Sequence, residues 1–266
     1  MVLSLALGLV VGIIMGLTGA GGGILAVPLL VFGLQLTVAQ AAPIGLLAVG
    51  ISATLGTLIG LKSNIVRYRA ALLVAGTGIL MAPLGVWIAQ RLNTRVMSVL
   101  FAAVLAWVAY KTFKDSKVQD INAGPKRSIP PCMRDAERGR FVWTSKCAGV
   151  LSLSGGIAGF FSGLLGVGGG FVMVPALQRY TDLTARSVVA TSLAVIALVS
   201  LAGVGSSIAT GQLNFEVGVP FAVGGAVGMG AGVMLSSCLS QNNLKFAFAI
   251  ICAAVSAGMV VKSVVV

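Results

Sequence analysis

The chain reads as an all-α, polytopic membrane protein built from two homologous repeats, and three features carry that reading. Mean hydropathy is +1.05, with 58% hydrophobic and only 9% charged residues, more apolar surface than a soluble domain of this length can hide. The apolar residues fall into runs of the roughly 20 residues that a spanning helix needs. The sequence also matches itself, without a gap, at an offset of 147 residues.

Each repeat opens with an apolar segment that glycines interrupt, at 3–33 and 148–178. Residues 16–28 read GLTGAGGGILAVP and residues 163–175 read GLLGVGGGFVMVP. Adjacent glycines weaken a helix and enter φ > 0 readily, so each segment is expected to break into two shorter helices. The stretch from Ile24 to Leu34 has about 11 residues, enough for half a membrane at 1.5 Å per residue. Three uninterrupted apolar segments follow in each repeat, at 38–61, 70–90 and 95–113, then at 185–209, 217–237 and 243–264. Val27-Pro28 falls on Val174-Pro175 and Leu36-Thr37 on Leu183-Thr184. The organisation is thus repeat 1 over 1–113, a basic linker over 114–146 and repeat 2 over 147–266. The first apolar run lacks a basic leader and has an internal counterpart at 148–163, so it reads as part of the fold and not as a signal peptide.

Gly8, Gly12 and Gly16 line one helix face at a spacing of four, and they fall on Gly155, Gly159 and Gly163. Gly224, Gly228 and Gly232 repeat the pattern. Such faces let backbones approach closely, within the chain or in a homodimer.

The net charge is +12, and nine of the eighteen Lys and Arg lie between Lys111 and Lys146. Mixed signs and no interleaved aromatics make this a solvated cytoplasmic linker under the positive-inside rule, with no nucleic acid implied. If the broken segment crosses fully, each repeat has four crossings and the repeats are parallel. If it is re-entrant, each has three and the repeats are inverted. The parallel arrangement places 13 cations inside and 5 outside; the inverted one places 15 inside and 3 outside, namely Arg91, Arg95 and Lys262. Lys62, Arg67 and Arg69 stand where the second half has Glu216 and neutral residues, which also favours inversion.

There is no histidine, and none of Cys132, Cys147, Cys238 and Cys252 forms a C-x-x-C pair. No metal or other cofactor is expected, and Cys238 and Cys252 read as small core residues. Of the six acidic residues, four lie in the linker, while Asp182 and Glu216 flank segment ends. Acid–base chemistry therefore lacks parts and the chain is not read as an enzyme. A side-chain proton relay inside the membrane is missing for the same reason.

Broken backbone at membrane depth is tolerated where it is buried in protein or lines a watery cavity. The helix after each break turns its N–H groups and positive dipole end toward the glycines, where an anion can approach. Two breaks facing each other across a pseudo-twofold axis would make a midplane site. The candidate ligands are the backbones of Gly19, Gly21, Gly22, Gly23, Gly166, Gly168, Gly169 and Gly170, with hydroxyls from Thr18, Thr191 and Ser192. Ser52, Thr54 and Thr57 are weaker candidates. For any one of these hydroxyls, a bond to its own helix carbonyl is the plainer reading. Arg67, Arg69, Arg179 and Arg186 either attract anions at the mouths or anchor helix ends.

The two glycine motifs with their trailing prolines, Ala190-Thr191-Ser192-Leu193 and GQLNF at 211–215 resemble the sulfite exporter TauE/SafE family, over both repeats. That resemblance implies a multi-pass transporter in the bacterial inner membrane, moving sulfite or organosulfonates. The expected mechanism is a small anion bound between the two breaks and moved by alternating access. A passive anion channel and a non-transporting scaffold are the rivals. Ala42-Pro43-Ile44-Gly45 replaces the Thr-Ser text of the second repeat, so the site is expected to be asymmetric.

Overall fold

The computed structural model describes residues 1–121, 132, 144–236 and 241–265. They form α1 (Val2–Thr18), a 3-10 helix (Gly19–Leu25), α2 (Ala26–Gly33), α3 (Val38–Lys62), α4 (Tyr68–Arg91) and α5 (Thr94–Ile121). After the linker come α6 (Ser145–Leu165), α7 (Gly170–Tyr180), α8 (Ala185–Ala209), α9 (Phe215–Ser236) and α10 (Gln241–Val265). Among the described residues, α3, α4, the Thr94–Lys114 part of α5, α6, α8 and the Phe215–Leu235 part of α9 are long and apolar enough to cross a membrane. The molecule is an all-helical, polytopic membrane protein.

Local chemistry explains the boundaries. Thr37 caps α3 by accepting from Gln40 N at 3.4 Å, and Gln40 Oε1 in turn accepts from Thr37 N at 3.2 Å. This capping box satisfies donors that the first helical turn leaves over. Thr184, at the matching place, accepts from Ser187 N at 3.4 Å and caps α8. The starts of α3, α4 and α5 recur in α8, α9 and α10 at the 147-residue offset. Both glycine clusters interrupt a helix as expected. Gly19 and its counterpart Gly166 have φ of 76° and 72°, where a Cβ is disfavoured. α5 runs to Ile121, eight residues past the expected boundary at 113, because its polar end needs no lipid. Most of the linker, and Cys238, lie outside the described residues.

Packing pairs helices across the two halves. α1 and α9 run parallel, with Gly8 against Phe221, Gly12 against Gly225 and Gly16 against Gly232. A Cβ on Gly12 would stand 2.8 Å from the Gly225 carbonyl carbon and from Met229 N, so only glycine permits this approach. α4 and α6 make the equivalent seam, with Gly155 on Val74, Gly159 on Gly78 and Gly163 on Ala82. α3 and α8 cross antiparallel in the centre, where Gly50 meets Ser200, Gly56 meets Leu193 and Gly60 meets Ala190. α5 and α10 are also antiparallel: Ser256 Oγ donates to Ala102 O at 2.9 Å, and Phe113 packs on Phe246 with centroids 5.7 Å apart.

Gly33, at the end of α2, lies beside Leu7 near the start of α1. Tyr180, at the end of α7, accepts from Cys132 N at 3.2 Å, and Cys132 is disulfide-bonded to Cys147 near the start of α6. That bridge, with a Cα separation of 5.1 Å, ties one point of the linker to the start of α6, and the backbone pairing of Cys132 with Thr181 ties the same point to the corner between α7 and α8. Its spacing of 15 residues gave no sign of it in the sequence. Cys252 is free and buried.

Candidate functional site

A cavity of about 530 Å³ lies among α1, α3, α5, α7, α8, α9 and α10, within the range of small-ligand sites. The first glycine break forms part of its wall through Thr18, Gly19 and Gly21. Exposed Ser63, Ala185 and Arg186 mark one end, where α3 finishes and α8 begins. Buried Leu193, Met229 and Phe248 mark the other. The open end is therefore the one from which α5 leaves for the linker. Beyond the blind end the halves are packed shut: a Cβ on Gly23 would stand 3.2 Å from Val167 O and from the Val49 methyls.

Two cations line this otherwise largely apolar cavity, Lys111 and Arg186. Lys111 sits four residues after Trp107 on α5, hence on the same helix face, with Nζ 5.0 Å from the indole centroid. The ring steadies the ammonium without neutralising it. Arg186 is the second residue of α8, where the helix dipole disfavours a positive charge by roughly 0.3–1 kcal/mol. Helix stability alone therefore gives a poor account of Arg186. Gln178 adds a neutral amide donor along the wall, where Thr112 and Ser63 also lie, with Ser63 Oγ donating to Ile59 O at 3.2 Å. Cations and donors set in apolar surroundings suit a small anion, whose desolvation they offset.

The structure distributes the residues singled out from the sequence. Thr18, Gly19 and Gly21 line the cavity; Gly22, Gly23, Gly166, Gly168, Gly169, Gly170, Thr191 and Ser192 do not. Gly22 and Gly23 are buried against Met15, Val49 and Val167, and Gly166 through Gly170 are all buried in the opposite half. Gly168 faces Ile196, Val49 and Ser200; Gly169 packs on Ala158. Thr18 Oγ1 donates to Ile14 O at 2.7 Å and Ser192 Oγ to Val189 O at 2.8 Å, each within its own helix. Thr54 and Thr57 do likewise, to Gly50 O and Ala53 O. Thr191 Oγ1 instead accepts from Arg67 N at 3.1 Å and holds the loop before α4. Of the four arginines named as mouth residues, Arg186 lines the cavity; Arg67, Arg69 and Arg179 lie outside its wall.

Lys111, Trp107, Phe248 and Gln178 were not singled out from the sequence. The i, i+4 spacing of Trp107 and Lys111 at the end of a span was the available signal, and it was absorbed into the charge count of the linker. Nothing in one sequence indicates that α7 and α10 bring Gln178 and Phe248 to the same wall.

The family described as Sulfite exporter TauE/SafE matches residues 4–259. The chain belongs to that family. TauE/SafE proteins are membrane transporters, and this member has similar relatives among curated proteins. A Bacillus subtilis (strain 168) protein named "Probable membrane transporter protein YunE" is 30% identical over 224 residues, covering 80% of each chain. A "Probable membrane transporter protein" of Xylella fastidiosa (strain Temecula1 / ATCC 700964) is 28% identical over 244 residues, covering 91% of this chain and 87% of the relative. No solved structure matches this TauE/SafE chain.

Proposed function

We propose that the protein is a carrier of small sulfur-containing anions, sulfite or organosulfonates, working by alternating access in a bacterial inner membrane with its linker in the cytoplasm. The cargo binds in the open cavity against Gly19 and Gly21 and is drawn there by Lys111 and Arg186. The observation that carries this reading is the meeting of a bare glycine backbone with two cations in one blind-ended, mostly apolar cavity. The sulfur chemistry of the cargo is taken from the description of the family.

The same proposal includes inverted repeats with re-entrant first segments. Gly33 beside Leu7, and Tyr180 beside the bridge to Cys147, support hairpins that leave by the side they enter. The antiparallel crossing of α3 on α8 supports opposite sidedness of the halves. So does the cation distribution, in which Arg91, Arg95 and Lys262 sit opposite the linker.

The test is uptake of labelled sulfite into proteoliposomes, with sulfoacetate, sulfate and chloride as competitors. Gly21→Ala is the informative variant. Its new methyl would lie 3.8 Å from the Phe248 ring, an ordinary contact, and would narrow the cavity without disturbing the fold. Gly22→Ala and Gly169→Ala are unsuitable, since their methyls would meet the backbones of Met15 and Ala158 and report on folding. Saturable sulfite uptake, competed by sulfoacetate and reduced in Gly21→Ala, is expected. Absence of flux for every sulfur anion would sink the cargo assignment; ohmic, non-saturating flux would replace the carrier by a channel.

A further inference from the structure

The cavity is charged toward one end and apolar at the other. Arg186 and Ser63 are exposed at the open end, and Gln178 is exposed in the last turn of α7. Lys111 follows Val108 by about one turn on α5; α5 leaves through the open end, so Lys111 is the nearer of the two to it.

The floor has another character. On α8, Leu193 lies seven residues deeper than Arg186, about 10 Å at 1.5 Å per residue. On α3, Gly56 reaches the same depth: a Cβ there would stand 2.9 Å from Leu193 Cδ1 and 2.5 Å from Met229 Cε. These three residues close the floor, with Val108 and Phe248 buried on the wall. Gly56 is in the interior of α3, so its N–H and C=O belong to that helix. Thr18 Oγ1, on the wall above, donates to Ile14 O at 2.7 Å. The floor thus presents carbon and sulfur to a ligand.

An inorganic anion drawn by Lys111 and Arg186 leaves this apolar depth to water. An anion with an apolar tail displaces that water and gains about 0.8 kcal/mol per buried methylene, a factor of about four in affinity. We propose that the cavity selects its cargo by the tail: it prefers a sulfonate whose headgroup meets Lys111 and Arg186 and whose alkyl chain lies against Phe248, Leu193 and Met229. This rests on the carrier reading above and narrows it.

The depth sets a length limit. With a 1.52 Å bond and a 111° angle, an extended chain advances about 1.3 Å per carbon. A depth of about 10 Å therefore takes a headgroup and about six carbons. Longer chains run into Met229 and Leu193. The same floor rejects a polar tail. 2-Aminoethanesulfonate matches propane-1-sulfonate in size, yet its ammonium would lie on apolar wall with no acceptor, which is costly.

The test is calorimetric titration of the full chain in nanodiscs with alkanesulfonates from methane- to octanesulfonate, which reads binding independently of flux. Affinity is expected to rise about fourfold per carbon and to level off at about six carbons. 2-Aminoethanesulfonate should bind more than tenfold more weakly than propane-1-sulfonate, and hexyltrimethylammonium, with the chain but the opposite charge, should not bind. Arg186→Gln should weaken every chain length by the same factor, about fivefold, and leave the slope per carbon unchanged. Met229→Ala, which hollows the floor, should carry the rise about two carbons further; the comparison is between ligands on one folded variant, so lost stability does not mimic it. Affinity independent of chain length, equal binding of 2-aminoethanesulfonate and propane-1-sulfonate, or a limit unmoved in folded Met229→Ala overturns the tail pocket. Saturable sulfite uptake beside a flat chain-length series would leave the carrier standing without it. A fourfold rise per carbon in protein that carries no anion would uphold the pocket and remove the carrier.

Discussion

Replacing Gly12 by alanine adds one methyl to a seam with no room for it. The new carbon would stand 2.8 Å from the Gly225 carbonyl carbon and from Met229 N. Ordinary contacts are wider by most of an ångström, and the atoms met are backbone, which cannot rotate away. α1 must therefore move off α9 along the whole seam. Overpacking of this kind costs about 3 kcal/mol at the upper end of its range. The better helix propensity of alanine returns about 1 kcal/mol, leaving a net loss of about 2 kcal/mol. Gly230→Ala, on the same helix α9, is the matched control: nothing lies within 4 Å of its new methyl, so it should gain about 1 kcal/mol from propensity alone. The assay is the midpoint of thermal unfolding in detergent, followed as loss of the monodisperse chromatographic peak. Gly12→Ala should melt below wild type and Gly230→Ala at or above it. Equal shifts of the same sign would refute the claim that close backbone approach, and not glycine content, holds α1 on α9.

Thr184→Ala should cost about 1 kcal/mol in the same assay by uncapping α8. Lys111→Gln and Arg186→Gln should each raise the apparent KM for sulfite roughly fivefold, the effect of about 1 kcal/mol per contacting charge in water-like surroundings. The effect should shrink in 1 M salt, where the Debye length is about 3 Å; salt-independent losses would indicate a structural role. Glu216→Gln should leave transport unchanged, because Glu216 is exposed and lies outside the cavity; loss of flux at normal expression would implicate it in coupling. Mass-tag alkylation of intact cells should find Cys132 and Cys147 as free thiols if the basic linker faces the reducing cytosol. A bridge already closed in living cells would place the linker on the oxidising side and reverse the orientation.

Periodicity and punctuation made the helices legible. α8 begins and ends at its expected residues, 185 and 209. The glycine clusters announced breaks because no regular helix tolerates them cheaply. What stayed hidden depends on partners distant in sequence. The glycine faces of α1 and α6 declared that something packs closely, yet α9 and α4 as the partners follow from topology. Thr191 looked like a donor to cargo, and its hydroxyl accepts from Arg67 N, 124 residues away. Lys111 was counted as one more positive charge near the linker, although the face it shares with Trp107 turns it into the cavity. The bridge between Cys132 and Cys147 was silent for the same reason, since a spacing of 15 residues has no geometric signature.

The crossed seams make the two halves of the chain interdependent for assembly. α1 finds its close-packed neighbour in α9, and α6 finds its own in α4. A polypeptide ending before the linker would expose one glycine-lined face on α1 and a receptive one on α4, with nothing in itself to cover either. Each half is the missing scaffold of the other, as the subunits of an entwined dimer would be. Expressed as separate chains in one membrane, residues 1–121 and 144–266 should recombine into a complementing pair, and either alone should be cleared by quality-control proteolysis.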